Sequence, residues 1–169
     1  MVRLVVVLPL HPLRVGDSFA VATWPLHVTV LPPFLTDATP AEITAAIAAA
    51  TRAQPPLTVR AGQDELFGRR NNLPVTLIEP HDGLTTLHRG LIDAVRPFAA
   101  VPDEPAFTGA GFRGHVTVKS PARVHAGDTL TLSQIALVDM LPRAHAAGRT
   151  VLATLPLPSP ARGRTKMVG

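Results

Sequence analysis

The tetrapeptide His27-Val28-Thr29-Val30 occurs a second time in the chain, as His115-Val116-Thr117-Val118. The two copies fall in the stretches Leu26–Leu31 and Phe112–Val118, which we predict to be β-strands. Residues i and i+2 of a strand point to the same face, so each copy places one imidazole beside one hydroxyl and turns its valines the other way. A repeat of these four residues is expected far less than once by chance, which favours a shared role for the two strands.

Two facing copies would form a cleft with two imidazoles and two hydroxyls. A histidine has an ordinary pKa of about 6.5, so near neutral pH one ring can accept a proton while the other donates one. Such a pair suits phosphodiester chemistry, in which a base activates the attacking oxygen and an acid protonates the leaving oxygen on the opposite side of phosphorus. The threonine hydroxyls can donate hydrogen bonds to the non-bridging phosphate oxygens, and this chemistry requires neither a metal nor another cofactor.

The rest of the chain predicts strands separated by two helices. Thr39-Pro40-Ala41-Glu42 has the form of a capping box, and its helix is expected to run to about Ala53. Asp82 is expected to cap a second helix, which Pro97 closes. One face of this helix carries Leu84, Leu87, His88, Leu91 and Val95. The other predicted strands are Arg3–Leu10, Leu57–Ala61, Pro74–Glu79, Thr129–Val138 and Arg149–Leu155, and the first motif strand is expected to stop at Pro32-Pro33. The links are short and irregular, which favours an α+β fold with antiparallel sheets.

With these motifs, the chain resembles the 2H phosphoesterase superfamily and, more narrowly, the 2′–5′ RNA ligase and cyclic phosphodiesterase family. The resemblance covers roughly Arg3 to Leu157, because both His-x-Thr-x motifs and the order of elements match. It implies a bilobal fold of pseudo-twofold antiparallel sheets with flanking helices and a central active-site groove. It also implies hydrolysis of 2′,3′-cyclic phosphates to 2′-phosphates, with possible reversible 2′–5′ RNA ligation.

The resemblance also implies roles for individual residues. His27 would protonate the leaving 3′ oxygen, His115 would activate water, and Thr29 and Thr117 would hold the phosphate. Lys119 corresponds to the basic residue that commonly follows the second motif of the family.

Other residues are weaker candidates for binding the substrate. Arg113 lies two residues before His115 and shares its strand face, so it can reach the phosphate. Arg69 and Arg70, between two predicted strands, are candidates for more distant phosphates, although a solvated hairpin tip explains them equally well. Phe34 is a candidate for stacking on a base, as are Phe67 and Trp24, while core packing is the alternative for all three. A zinc site built from the two motif histidines and a third one lacks the usual ligand spacing, so no metal is predicted.

Composition narrows the class of protein. The net charge is +4, and without Arg162, Arg164 and Lys166 the rest of the chain carries 13 basic and 12 acidic residues. Such a chain is not expected to coat DNA, so an anionic ligand must be held locally. The chain has no cysteine, which excludes disulfides and thiolate sites. The apolar stretch Val5–Leu10 is too short to span a membrane, and its flanks do not fit a signal peptide, so we expect a cytoplasmic monomer that does not bind membranes.

These observations predict one domain over residues 1–157 and a basic, disordered tail over residues 158–169. The expected partners are RNA ends or small nucleotides that carry a cyclic phosphate. Alternative substrates with the same chemistry are 2′–5′ oligonucleotides, cyclic nucleotides and ADP-ribose cyclic phosphate. A module that binds RNA ends or nucleotides without catalysis is a further alternative, as is a structural protein in which the two histidines lie apart.

Overall fold

The structure is a computed structural model that describes residues 1–98, 101–102, 108–119, 122–140 and 148–158. Its helices are α1 (Pro40–Ala50) and α2 (Asp82–Val95), with short 3₁₀ turns at Val21–Thr23, Arg96–Phe98 and Gly109–Gly111. The strands are β1 (Val2–Pro9), β2 (Ser18–Phe19), β3 (His27–Thr36), β4 (Leu57–Phe67), β5 (Leu73–Ile78), β6 (Val101–Pro102), β7 (His115–Thr117), β8 (Thr129–Leu132), β9 (Gln134–Asp139) and β10 (Arg149–Pro156).

The strands of the described residues form one sheet in the order β2-β10-β9-β1-β3-β7-β5-β4-β8, with β6 beside β3. Every described pairing is antiparallel, which confirms the predicted α+β class. The two motif strands, β3 and β7, are neighbours in the middle of the order. The sheet therefore divides at this pair into two halves, each of which contributes one motif.

The main hydrophobic core lies on one face of the central strands. Val28, Val30 and Val116 of the motif strands are all completely buried there. They pack in one cluster with the inward residues of the two helices, among them Ile43, Ile47, Leu84, Leu87 and Leu91. The helices thus cover the valine face of the motif strands, and the face with the histidines and threonines is the one left for a groove.

A smaller core lies on the other face of β1, β9 and β10. It joins Val5 and Val7 of β1 to Leu13 and Trp24, which precede the first motif. The segment between β1 and β3 therefore packs over one half of the sheet and borders the histidine side of β3.

The capping box of α1 is confirmed. The Thr39 hydroxyl accepts a hydrogen bond from the Glu42 backbone N–H (3.2 Å), and the Glu42 carboxylate accepts one from the Thr39 N–H (2.8 Å). The helix ends at Ala50 rather than Ala53. In α2 the residue that caps the helix is His81, whose Nδ1 accepts from the Leu84 N–H (3.2 Å), so the prediction for Asp82 is wrong by one position.

The prediction that Pro32-Pro33 ends the first motif strand is also wrong. The strand β3 continues to Thr36, and its register with β1 shifts where Leu31 and Phe34 flank the two prolines. Proline is tolerated at such a bulge because the ladder needs no N–H there.

Other strand boundaries differ as well. The predicted strand Thr129–Val138 is two strands that separate at Ser133, because β8 pairs with β4 while β9 pairs with β1 and β10. The second motif strand is limited to His115–Thr117, and β4 extends to Phe67. The predicted tail lies outside the described residues from residue 159 onward.

His88 joins the second helix to the first motif strand. Its side chain is completely buried, its Nδ1–H donates to the Val30 carbonyl (2.7 Å), and its Nε2 accepts from the Gly109 N–H (2.9 Å). The ring also stacks on Phe112 at 4.0 Å. Burial lowers the pKa of His88, in keeping with a neutral ring that accepts at one nitrogen and donates at the other.

We predict that His88→Ala lowers the free energy of unfolding by at least about 2 kcal/mol, because it leaves a cavity and two buried backbone groups without partners. Urea denaturation measures this loss. The matched control is His81→Ala, which removes only a helix cap and is expected to cost about 1 kcal/mol. Equal losses in the two variants would contradict the bridging role of His88.

Candidate active site

The site is built by a single strand pairing. Val28 of β3 lies opposite Val116 of β7 in antiparallel register. Extending this register by one residue in each direction places His27 opposite Thr117 and Thr29 opposite His115. All four side chains therefore project from the same face. The two histidines are diagonal neighbours, a relation that places Cα atoms about 7–8 Å apart.

Apolar residues border this polar quartet on both sides. On β1, Pro9 lies opposite His27 and Val7 lies opposite Thr29. On β5, Val75 lies opposite Thr117 and Leu77 lies opposite His115. The polar quartet is thus flanked by apolar residues on the two adjacent strands, and a charged ligand there would meet all four polar side chains together.

Both imidazoles are held in the same way. The Nδ1 atom of His27 lies 2.7 Å from the Pro25 carbonyl oxygen, and that of His115 lies 2.9 Å from the Arg113 carbonyl oxygen. Because a carbonyl only accepts, each Nδ1 must carry the hydrogen. In a neutral ring the lone pair is then on Nε2, so Nε2 is the nitrogen at which a proton would be gained.

The His27 end of the site is aromatic and cationic. The His27 ring lies 4.0 Å from the Trp24 ring, and the Arg149 guanidinium lies over the Trp24 ring at 5.3 Å from its centroid. The Lys119 ammonium donates to the Val21 carbonyl (2.7 Å). Burial and the nearby Arg149 charge lower the pKa of Lys119.

This environment disfavours protonation of His27. Burial, as the largest cause, lowers its pKa to about 4, against the opposing effect of the Pro25 hydrogen bond. The charges of Lys119, His115 and Arg149 lower it further. His27 is therefore neutral in the folded protein at neutral pH.

The His115 end has a similar arrangement with a different charge balance. The Phe67 ring meets the His115 ring edge-on at 4.7 Å, and the Arg113 guanidinium lies 5.2 Å from the Phe67 centroid. Arg113 forms an ion pair with Glu65. The cation at this end is thus accompanied by a carboxylate.

A pocket of about 220 Å³ opens beside His115 and Thr29. Most of the residues that line it are apolar: Pro32, Pro33, Phe67, Leu73 and Phe112. Arg113 lines it as well, which gives the pocket one cationic wall.

Gly114 allows the second motif to approach α2 closely. A Cβ atom there would lie 2.8 Å from a Leu84 methyl carbon and 3.5 Å from the Ile78 Cβ. The Ile78 N–H also donates to the Gly114 carbonyl (2.9 Å). These contacts fix the backbone immediately before His115.

The structure brings some predicted residues to the site and leaves others away from it. Arg113 and Lys119 lie at opposite ends, as described above. Arg69 and Arg70 lie on the exposed turn between β4 and β5, where neither is among the described residues that line the pocket. The prediction that Phe34 stacks on a base is wrong. Its side chain is 1% exposed in the helix-side core and cannot reach a base.

Two residues of the site were not found from the sequence. Arg149 reaches the His27 end from β10, and no motif or spacing signals this. Phe112 lies three residues before His115 and was assigned only to the predicted strand. Its place in the pocket depends on its contact with His88.

Among the residues that the structure describes, no three His, Asp or Glu side chains are grouped so that they could share a metal ion. Neither of the two described helices has the length and apolar character needed to cross a bilayer.

Comparisons with known proteins agree with this architecture. The model of the 2′-5′ RNA ligase superfamily matches residues 6–136. Three solved structures show the same fold: a phosphoesterase (17% identity, TM-score 0.59, covering 92% of this chain and 98% of that one), E. coli LigT complexed with 3′-AMP (18%, 0.59, 92% and 98%) and TT0787 of Thermus thermophilus (18%, 0.62, 93% and 98%). A search of curated protein sequences gives no match.

The lowered pKa of His27 predicts a specific pH dependence of stability. Between pH 6.5 and about 4 the unfolded chain binds a proton at His27 that the folded chain does not, so the free energy of unfolding falls as the pH falls through this range. His27→Gln should reduce this fall, as measured by urea denaturation at several pH values. Exposed His125, changed to Gln, is the matched control. An unchanged pH dependence in His27→Gln would contradict the lowered pKa.

Proposed function

Because the chain belongs to the 2′-5′ RNA ligase superfamily of phosphoesterases, we propose that it hydrolyses RNA-type 2′,3′-cyclic phosphates to 2′-phosphates. Two histidines would perform acid–base catalysis without a metal, and reversible 2′–5′ RNA ligation would follow from the same chemistry when an RNA 5′-hydroxyl attacks the cyclic phosphate in place of water. The observation that carries this proposal is the Val28–Val116 pairing, which gives both imidazoles and both hydroxyls one common face.

The four side chains divide the chemical work. One Nε2 removes a proton from the attacking water while the other Nε2–H protonates the leaving ribose oxygen, and each role contributes about 10²–10⁴ in rate. The hydroxyls of Thr29 and Thr117 donate to the non-bridging oxygens, whose charge must be stabilised in the transition state. Lys119, Arg149 and Arg113 supply positive charge at the two ends of the site.

The size and charge of the site favour a small nucleotide or an RNA end as substrate. The pocket beside His115 is smaller than the roughly 300–1,000 Å³ of sites for drug-sized ligands, so it suits one ring system. E. coli LigT, which shares the fold, is seen with 3′-AMP, ATP, NADP+ and phosphate. Parallel assays with 2′–5′ oligonucleotides, cyclic nucleotides and ADP-ribose cyclic phosphate separate the substrate alternatives.

We predict that His27→Ala and His115→Ala each lower kcat/KM for a nucleoside 2′,3′-cyclic phosphate by about 10²–10⁴, because each removes one proton-transfer group. The activity of the unaltered protein should not change on addition of EDTA. His125→Ala, at an exposed position between β7 and β8, is the control and should keep full activity. Full activity in either motif variant would exclude the paired mechanism, and binding without turnover by the unaltered protein would favour the non-catalytic module.

We also predict that Thr29→Val and Thr117→Val each lower kcat by about 10²–10³, since each removes a donor to the developing charge while keeping the shape of the side chain. Serine at the same positions should restore part of the rate. Thr58→Val, at an exposed position on β4, is the matched control. Steady-state kinetics that show only a higher KM in the valine variants would argue against transition-state stabilisation by these hydroxyls.

A further inference from the structure

We infer that Arg123 is a positioning residue for Lys119. Its ion pair with Asp64 holds the backbone that follows the second motif, and this backbone carries the Lys119 ammonium to the His27 end of the site. The inference rests on the proposed function, in which Lys119 supplies positive charge beside His27. Arg123 itself lies on the other face of the sheet and acts only through Lys119.

Arg123, Asp64 and Thr76 form a polar network. Nη2 of the Arg123 guanidinium donates to both carboxylate oxygens of Asp64, at 2.7 and 2.9 Å, and to the Thr76 hydroxyl at 3.3 Å. The Thr76 side chain is completely buried, and its hydroxyl donates to Asp64 at 2.8 Å. The Arg123 bond, followed by the Thr76 bond, lowers the pKa of Asp64. A network of this kind restrains its members more firmly than an isolated ion pair does.

The network continues the row of residues that contains the motif pairing. Asp64 of β4 lies opposite Thr76 of β5, which in turn lies opposite Val116 of β7. Val116 pairs with Val28. Because directly opposite residues share a face of the sheet, Asp64 and Thr76 lie on the valine side, away from the motif histidines. The sheet therefore separates Arg123 from the groove, and any effect of Arg123 on a ligand there is indirect.

The backbone connects Arg123 to Lys119. The Lys119 N–H donates to the carbonyl of Ala122, the residue directly before Arg123, at 2.8 Å. Arg123 Nε donates to the Val124 carbonyl at 2.9 Å, and the Val124 side chain is buried in the main core. The ion pair with Asp64 thus fixes the backbone to which the Lys119 N–H is bonded.

The Lys119 ammonium is useful only if it reaches the His27 end. It donates there to the Val21 carbonyl at 2.7 Å, and its charge, after burial, is among the causes that lower the pKa of His27. Before Lys119, the Val118 N–H is bonded to a backbone carbonyl of β5 at 2.9 Å. The Arg123 network adds an anchor on the other side. A lysine whose backbone is restrained on both sides loses less conformational entropy when its ammonium meets a phosphate.

A double-mutant cycle tests this relation. We expect Arg123→Gln and Lys119→Gln each to lower kcat/KM for a nucleoside 2′,3′-cyclic phosphate by about 10–100-fold, the order expected when a binding group is misplaced. The combined variant should match Lys119→Gln within about twofold, because without Lys119 the network has no group left to position. Asp64→Asn breaks the same ion pair from the other side and should behave like Arg123→Gln.

Further variants separate positioning from stability. Arg96→Gln breaks the exposed ion pair with Asp93 at the end of α2 (3.0 Å) and, as the matched control, should keep full activity. Arg123→Lys keeps a charge that pairs with Asp64, so it should restore part of the rate that Arg123→Gln loses. In urea denaturation, Arg123→Gln should cost the same stability with and without Lys119→Gln. Effects that add in stability but not in activity identify a positioning residue.

The pKa of His27 gives a readout that needs no activity. NMR titration of its ring should show a higher pKa in Lys119→Gln, which removes a nearby positive charge, and a smaller rise in Arg123→Gln, which displaces that charge. The combined variant should show no rise beyond that of Lys119→Gln. Arg96→Gln should leave the pKa of His27 unchanged.

The outcomes distinguish this inference from the proposed function. Unchanged activity or an unchanged pKa of His27 in Arg123→Gln would overturn the inference and leave the proposed function intact. Losses of activity that multiply in the combined variant would do the same. A protein that hydrolyses no cyclic phosphate would overturn the proposed function, while the NMR cycle would still decide whether Arg123 positions Lys119.

Discussion

The pairing of Val28 with Val116 is the constraint on which the site depends. It is the described point of contact between β3 and β7, and β7 itself is only three residues long. A shift of one residue in this register would turn one histidine and its threonine into the helix-side core and bring a valine into the groove. The buried valines prevent such a shift, because both lie at zero exposure in the same hydrophobic cluster. The packing of the core thus fixes the spacing of the chemistry on the opposite face.

The second helix, α2, stabilises the pairing of the two motif strands from the core side of the sheet. His88 bonds to Val30 of the first motif and to Gly109 before the second, and Leu84 leaves no room for a side chain at Gly114, directly before His115. These contacts connect the two motif strands through α2 as well as through the sheet. A buried histidine with both nitrogens satisfied is a specific connector, since no apolar residue of similar size could join these two backbone groups.

The sequence predicted the parts of this site that depend on local pattern. The period-2 alternation in both motifs correctly separated the buried valines from the polar residues, and the apolar face of α2 correctly identified Leu84, Leu87 and His88 as buried. The features of the site that the sequence did not predict depend on tertiary contacts. Pro32-Pro33 predicts a strand end because the bulge opposite β1 is invisible in a single sequence. For the same reason the sequence left Phe34 open to base stacking as well as to core packing. Arg149 reaches His27 only because β10 lies on the far side of the same half of the sheet.

The near-symmetry of the motifs hides a functional asymmetry that arises from their surroundings. Each histidine donates from Nδ1 to the carbonyl two residues earlier. Each also contacts an aromatic ring over which an arginine guanidinium lies. Both aromatic residues are 8% exposed, but their neighbours differ: Trp24 belongs to the smaller core, whereas Phe67 borders an open pocket. Two identical imidazole–hydroxyl pairs can therefore have different proton affinities and different ligands without any difference in the motif itself. For a reaction that needs one base and one acid, different surroundings are sufficient to give two histidines of identical motifs different roles.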